Sequence, residues 1–250
     1  MAFHSPIEQF EIHAQTSPLL DLAGHPIAIT NSAIAMFAAV VLSTLFMTLT
    51  MRSRAVVPGR WQMLAELFFD GIRSTVRESA GTKADAFFPF ILTLFLFIMF
   101  CNLLGLFPYF YTVTSQVIVN FALAMLVIFI VLGTGFVKHG SHFFKLFVPS
   151  GVPMIMLPLM VVIEVVSFFI RPFSLSIRLF ANMLAGHILL KVFAGMSAGL
   201  AASGWLSAVG VLPLAFNIVI VAFEFFVALL QAYIFSILSS VYLHDALEMH

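Results

Sequence analysis

Charge is scarce in this chain. Only 9% of its 250 residues are charged, and the Lys and Arg total equals the Asp and Glu total. A soluble domain carries about 25% charged residues, so too few are present to build a water-facing surface. With no net charge there is also no electrostatic footprint for nucleic acid. Cysteine occurs once, as Cys101 in an apolar run. That excludes an intrachain disulfide and, alone, a metal site, and it reads as a small buried hydrophobe. No Lys or Arg precedes the first apolar run near Ala28, so the N-terminus is not an ordinary signal peptide, and residues 1–27 are expected to be a polar tail. H-E-x-x-H, P-loop and Rossmann fingerprints are missing, which disfavours a metalloprotease or a nucleotide-binding enzyme. No internal repeat is visible, which counts against a stand-alone secondary transporter.

What is present is apolar: 62% hydrophobic residues, with 30 Phe. Lipid must cover most of such a molecule, and the expected fold is an all-α polytopic membrane protein. A first span is expected at about 28–51, opened by cap chemistry at Thr30 and Asn31. Residues 52–85 change character, mixing Arg52, Arg54, Arg60, Arg73, Arg77 and Lys83 with Glu66, Asp70, Glu78 and Asp85. Within them Trp61, Met63, Leu64, Leu67, Phe68 and Ile72 recur at near-helical spacing, which predicts an amphipathic surface helix at about 58–80. Further spans are expected at about 87–107 and 116–137. Two long apolar stretches follow, about 152–194 and 206–243. The first is roughly 64 Å as one helix, against a hydrocarbon core of about 30 Å. Each is either two spans or one strongly tilted helix.

The positions of Lys and Arg choose between these. Segments 1–27, 108–115 and 195–205 contain none, whereas 52–85 has six and 138–150 has two. The positive-inside rule puts the first group outside and the second in the cytoplasm. One crossing per long stretch satisfies every segment, giving five crossings, an outside N-terminus and a cytoplasmic C-terminus.

Charges at bilayer depth cost about 2.5–3.5 kcal/mol or more each, yet Glu164, Arg171, Arg178, His187, Lys191 and Glu224 lie inside the long stretches, with Asn182, Asn217 and Gln231. Glu164, Arg171 and Arg178 are spaced by seven and share a helix face with Ser167, Ser174, Asn182 and Ala185; Asn217, Glu224 and Gln231 repeat the spacing. Folded as an antiparallel hairpin, His187 opposite Glu224 and Arg178 opposite Gln231 both place the turn near Gly204 and Trp205. Arg178 and His187, nine apart, fall on opposite sides of a straight helix, so both pairings need a bend or a bridging water. Arg171 and Lys191 read equally as snorkelling side chains. His187 with Glu224 also reads as a hydrogen-bonded pair without a transport role, and Asn182 and Gln231 as helix–helix glue.

Gly195-Met196-Ser197-Ala198-Gly199 matches the G-x-S-x-G nucleophile elbow, but the strand–turn–helix context is lacking and a packing or turn feature is the better reading. An intramembrane hydrolase using Ser197 is the corresponding alternative. His4, His13, His25, His139, His142, His244 and His250 are expected to be solvated.

The run Arg171-Pro172-Phe173-Ser174-Leu175-Ser176-Ile177-Arg178-Leu179-Phe180-Ala181-Asn182-Met183-Leu184-Ala185-Gly186-His187 closely resembles the signature of subunit a of F-type ATP synthases. The stretch from Leu229 through Gln231 to Leu238 looks like that family's last-helix motif, and Asn102-Leu103-Leu104-Gly105-Leu106-Phe107-Pro108 like its second-span ending. The resemblance covers most of residues 60–245. It implies a proton-translocating stator subunit, not itself catalytic, without cofactor or metal and without direct nucleotide binding. Its implied partners are the c-subunit ring, b-type peripheral stalk subunits and the rest of the synthase, in a cell inner membrane, or alternatively the mitochondrial one. Arg178 matches the arginine facing the ring, His187 and Glu224 a pair of proton-handling positions, Asn182 and Gln231 polar positions near the arginine, and Glu164 a carboxylate toward the cytoplasm. Asn217 and Ser174 complete the expected proton-translocation set. Histidine first and acid second is the order of alphaproteobacterial or mitochondrial-like members.

Overall fold

A computed structural model describes residues 12–15, 20–22, 25–52, 58–107, 110–140, 155–202 and 209–247. Part of the expected tail is ordered as a hairpin, strand β1 (Leu20–Leu22) antiparallel to β2 (His25–Ile27), with Leu20 opposite Ile27. Helix α1 (Asn31–Thr50) begins at the expected cap. Thr30 Oγ1 accepts from the amide of Ala33 at 3.3 Å, and Asn31 Oδ1 accepts from the amide of Ser32 at 2.9 Å, so side chains satisfy amides the first turn leaves orphaned.

Helix α2 (Arg60–Ala80) ends at Gly81, whose φ of 69° is a left-handed stop that favours glycine. It is followed by a 3-10 turn (Thr82–Phe87) and α3 (Phe88–Leu106). The connection onward contains a 3-10 turn (Val113–Ser115), then come α4 (Val117–His139), α5 (Leu157–Ala201) and α6 (Val211–Leu247). Among the described residues, α1, α3, α4, α5 and α6 are long and apolar enough to cross a membrane, and the chain is an all-α polytopic membrane protein.

The two long stretches are each one helix, of 45 and 37 residues. Helix α5 extends past the expected end at 194: Gly195 and Gly199 continue it instead of turning. Helix α6 starts later than expected, just after Gly210, with Pro213 in its first turn, where no amide is required. The expected turn at Gly204 and Trp205, and residues 152–154 and 206–208, lie outside the described residues. Pro172 sits inside α5, where it removes one backbone donor.

The chain divides into two units. The first comprises Met1–Thr44, Phe97–Gln116 and Leu179–Gln231. Here α5 and α6 run antiparallel: Ser197 Oγ donates to the Gly210 carbonyl at 2.8 Å, and the Phe193 and Phe216 rings stack 6.0 Å apart. Asn102, fully buried on α3, donates to the Ala228 carbonyl of α6 at 3.0 Å. The second unit comprises Leu45–Leu96, Val117–Arg178 and Ala232–His250. Within it Phe68 of α2 packs against Phe46 and Phe95, and Phe69 against Phe88. Helix α2 therefore has two apolar faces where one was expected. Ala65, Ile72 and Val76 are buried against protein, whereas Met63 and Leu67 on the opposite side are exposed. In this unit Arg171 of α5 binds Asp245 of α6 at 3.0 Å, and Lys138 Nζ donates to the Leu247 carbonyl at 3.1 Å.

Candidate functional site

In the first unit Glu224 and Thr112 converge on His187. The imidazole Nε2 is 3.7 Å from Glu224 Oε1, with both side chains buried, so the pairing expected from spacing is present. Gly186 makes the approach possible, because a Cβ there would lie 2.6 Å from Glu224 Oε1 and 2.8 Å from its Cδ. Thr112, from the connection after α3, brings its Oγ1 to 3.1 Å from the same Nε2. Neither carboxylate oxygen of Glu224 has a hydrogen-bond partner among the described residues, nor has the buried Oδ1 of Asn102 or of Asn217. Leaving such atoms bare costs about 1–3 kcal/mol each, so the Glu224 carboxyl is a costly group to bury for packing alone. Asn182 is half-buried and Gln231 is buried.

In the second unit Glu164 and Arg171, spaced by seven, meet at 3.7 Å. Arg171 also binds Asp245 and lies over the Tyr242 ring at 5.0 Å. Its charge is matched within the chain, which replaces the snorkelling reading. Ser176 Oγ donates to the Val117 carbonyl at 3.2 Å, tying α5 to the start of α4.

Arg178 differs from every other cation inside the two long helices. It is exposed, and among the described residues no carboxylate pairs with it. One turn before it is exposed Ser174 and three residues after it exposed Ala181, with exposed Ile177 beside it in the chain. His187 is buried.

Thr112, Gly105 and Asp245 were not anticipated. Thr112 stands in a run of hydroxyl residues with Thr114 and Ser115, directly after the Asn102–Pro108 motif, and that run is the signal that could have found it. Asp245 lies about one and a half to two turns beyond the partner that the hairpin register assigns to Arg171, within reach only of a long side chain. Ser197 lies inside a helix with its hydroxyl given to Gly210, in keeping with the packing reading of the Gly195–Gly199 run rather than with a nucleophile elbow. One expectation needs correction. His139 and His244, expected to be solvated, are half-buried, and each has one ring nitrogen buried.

The family model described as ATP synthase A chain matches residues 32–244. The ATP synthase subunit a of Bartonella bacilliformis is 51% identical over 244 residues, covering 97% of this chain and 96% of that protein. That of Rhizobium rhizogenes is 53% identical over 230 residues, covering 92% of each. ATP synthase subunit a 1 of Brucella anthropi is 51% identical over 246 residues, covering 98% of each.

Proposed function

The chain belongs to the family of ATP synthase A chains, and from that premise we propose that it is the proton-translocating stator subunit of an F-type ATP synthase. In this reading a proton enters from outside through a wet half-channel at His187, Glu224 and Asn217, with Asn182 and Gln231 as polar lining. It neutralises a carboxylate on a ring of c subunits, and the neutral group can then pass through lipid at low cost. After nearly a full rotation the carboxylate reaches a second half-channel near Glu164 and releases the proton to the cytoplasm. Arg178 stands between the two groups in the sequence. It favours the ionised carboxylate as the ring passes, and its fixed charge blocks a direct proton leak. Guanidinium suits this role because it does not deprotonate. Each proton crossing 100 mV delivers about 2.3 kcal/mol to the ring.

The observation that carries this reading is the exposed Arg178 on α5, beside small and apolar residues. A guanidinium with no acidic partner of its own, among residues suited to a nonpolar surrounding, needs a partner that supplies the counter-charge and packs closely. A c-ring helix bearing a carboxylate meets both needs, and Ser174, Ala181 and Ala185 leave room for it. The remaining partners are b-type peripheral stalk subunits and the soluble head, where nucleotide chemistry takes place; this subunit is not itself catalytic. Residues 28–250 act as one membrane domain in the cell inner membrane, N-terminus outside and C-terminus cytoplasmic, following the distribution of Lys and Arg.

Single cysteines at Ser174 and Ile177 test the assignment in the assembled complex, since Cys101 is buried. Cross-links to engineered cysteines on a c-ring helix are expected. Cysteines that react only with lipid-soluble reagents and never with the ring overturn it.

A further inference from the structure

Of the two oxygens facing His187 Nε2, that of Thr112 lies nearer than that of Glu224. Thr112 Oγ1 is 3.1 Å from His187 Nε2, whereas Glu224 Oε1 is 3.7 Å from the same nitrogen. One ring N–H cannot serve both oxygens, and the hydroxyl is within hydrogen-bond distance while the carboxylate is not. The hydroxyl has an outlet for its own proton, the Gly105 carbonyl at 3.4 Å, which leaves Oγ1 free to accept from Nε2–H. Thr112 is in turn held from behind. Its carbonyl accepts from Ser115 Oγ at 2.6 Å and from the Ser115 amide at 3.2 Å. Gly105 makes the room: a Cβ there would lie 2.7 Å from Thr112 Cγ2 and 3.0 Å from Oγ1.

We propose that Thr112 is a positioning residue that draws the Nε2 edge of His187 off the Glu224 carboxylate, and that Gly105 is the space that lets it do so. The imidazole and the carboxylate then remain two separate proton stations instead of closing into a fixed ion pair. The proposal rests on the reading of His187 and Glu224 as proton-handling groups. The charged and titratable groups around the imidazole are Glu224 from α6 and Lys191, one turn further along α5. Tyr111, from the same connection as Thr112, is engaged by Gln116 at 2.6 Å.

The test is the pH profile of proton flux through the assembled synthase in vesicles. Thr112→Val keeps the side-chain shape and removes the hydroxyl. The freed imidazole closes on the carboxylate and holds its proton to higher pH, so the acid limb of the profile moves upward by about half a unit or more. Thr112→Ser restores the original profile. Gly105→Ala, which displaces the hydroxyl without deleting it, moves the limb in the same direction. An unmoved limb in Thr112→Val overturns the proposal, as does a serine variant that behaves like valine, because packing of the methyl group is then the whole role. If the valine variant fails to assemble, Thr112→Ser and Gly105→Ala carry the comparison: serine must leave the limb in place and alanine must move it. Glu224→Gln and His187→Ala separate the two levels. If neither alters the profile, the pair is off the proton path and the functional reading fails. If they alter it while Thr112→Val does not, only the Thr112 proposal fails.

Discussion

Replacing Gly186 with Ala puts a methyl group where the Glu224 carboxyl now lies. The new Cβ would be 2.6 Å from Oε1 and 2.8 Å from Cδ, whereas ordinary contact needs about 3.5 Å. The carboxyl must therefore retreat by about 1 Å, away from His187. It is the free end of a flexible side chain, so it can move without unpacking α6. Alanine also favours the helix over glycine by about 1 kcal/mol, so the complex is expected to assemble. A displacement of about 1 Å at a reacting group can cost about a hundredfold in rate, and ATP-driven acidification of inverted vesicles is expected to fall by about ten- to a hundredfold. Gly199→Ala is the matched control on the same helix, since a Cβ there meets nothing within 4 Å, and it should pump as the parent does. Gly186→Ala pumping at the parent rate, or both variants failing alike, refutes the geometry.

Asn102→Leu removes the donor to the Ala228 carbonyl and should lower thermal stability in detergent by about 1 kcal/mol; an unchanged melting midpoint means that this bond does not hold α3 to α6. Arg171→Ala removes the pair with Asp245, the contact with Glu164 and the stacking on Tyr242, so proteolysis of the C-terminal turn of α6 should quicken. Lysine should rescue this only partly, because it lacks the planar fork, and full rescue would reduce the site to a point charge. Ser197→Ala should leave proton pumping intact, and loss of a hydrolytic activity in that variant would revive the protease alternative.

Much of the helical layout was legible because crossing a bilayer demands long apolar runs, and the Thr30–Asn31 cap and the His187–Glu224 pairing followed from local chemistry and spacing. What was not legible has one physical origin. In a membrane protein both lipid and protein interior are apolar, so burial leaves no hydrophobic period to read. Helix α2 illustrates this in part: its spacing predicted one apolar face, yet Leu67 and Ile72, alike in sequence, lie one exposed and one buried. Only polar residues mark faces, and they did so for Glu164 and Arg171. Thr112 escaped because a connection between spans carries no helical register. The end of α5 escaped because Gly195 and Gly199, breakers in water, cost little in a helix whose neighbour at Gly210 accepts from Ser197.

ATP-driven proton pumping by the assembled synthase carrying Arg178→Ala bears most directly on the central claim. Loss of coupled pumping, together with a passive proton leak through the membrane sector, is the expected result. Coupled pumping retained by the alanine variant would remove the guanidinium from the mechanism.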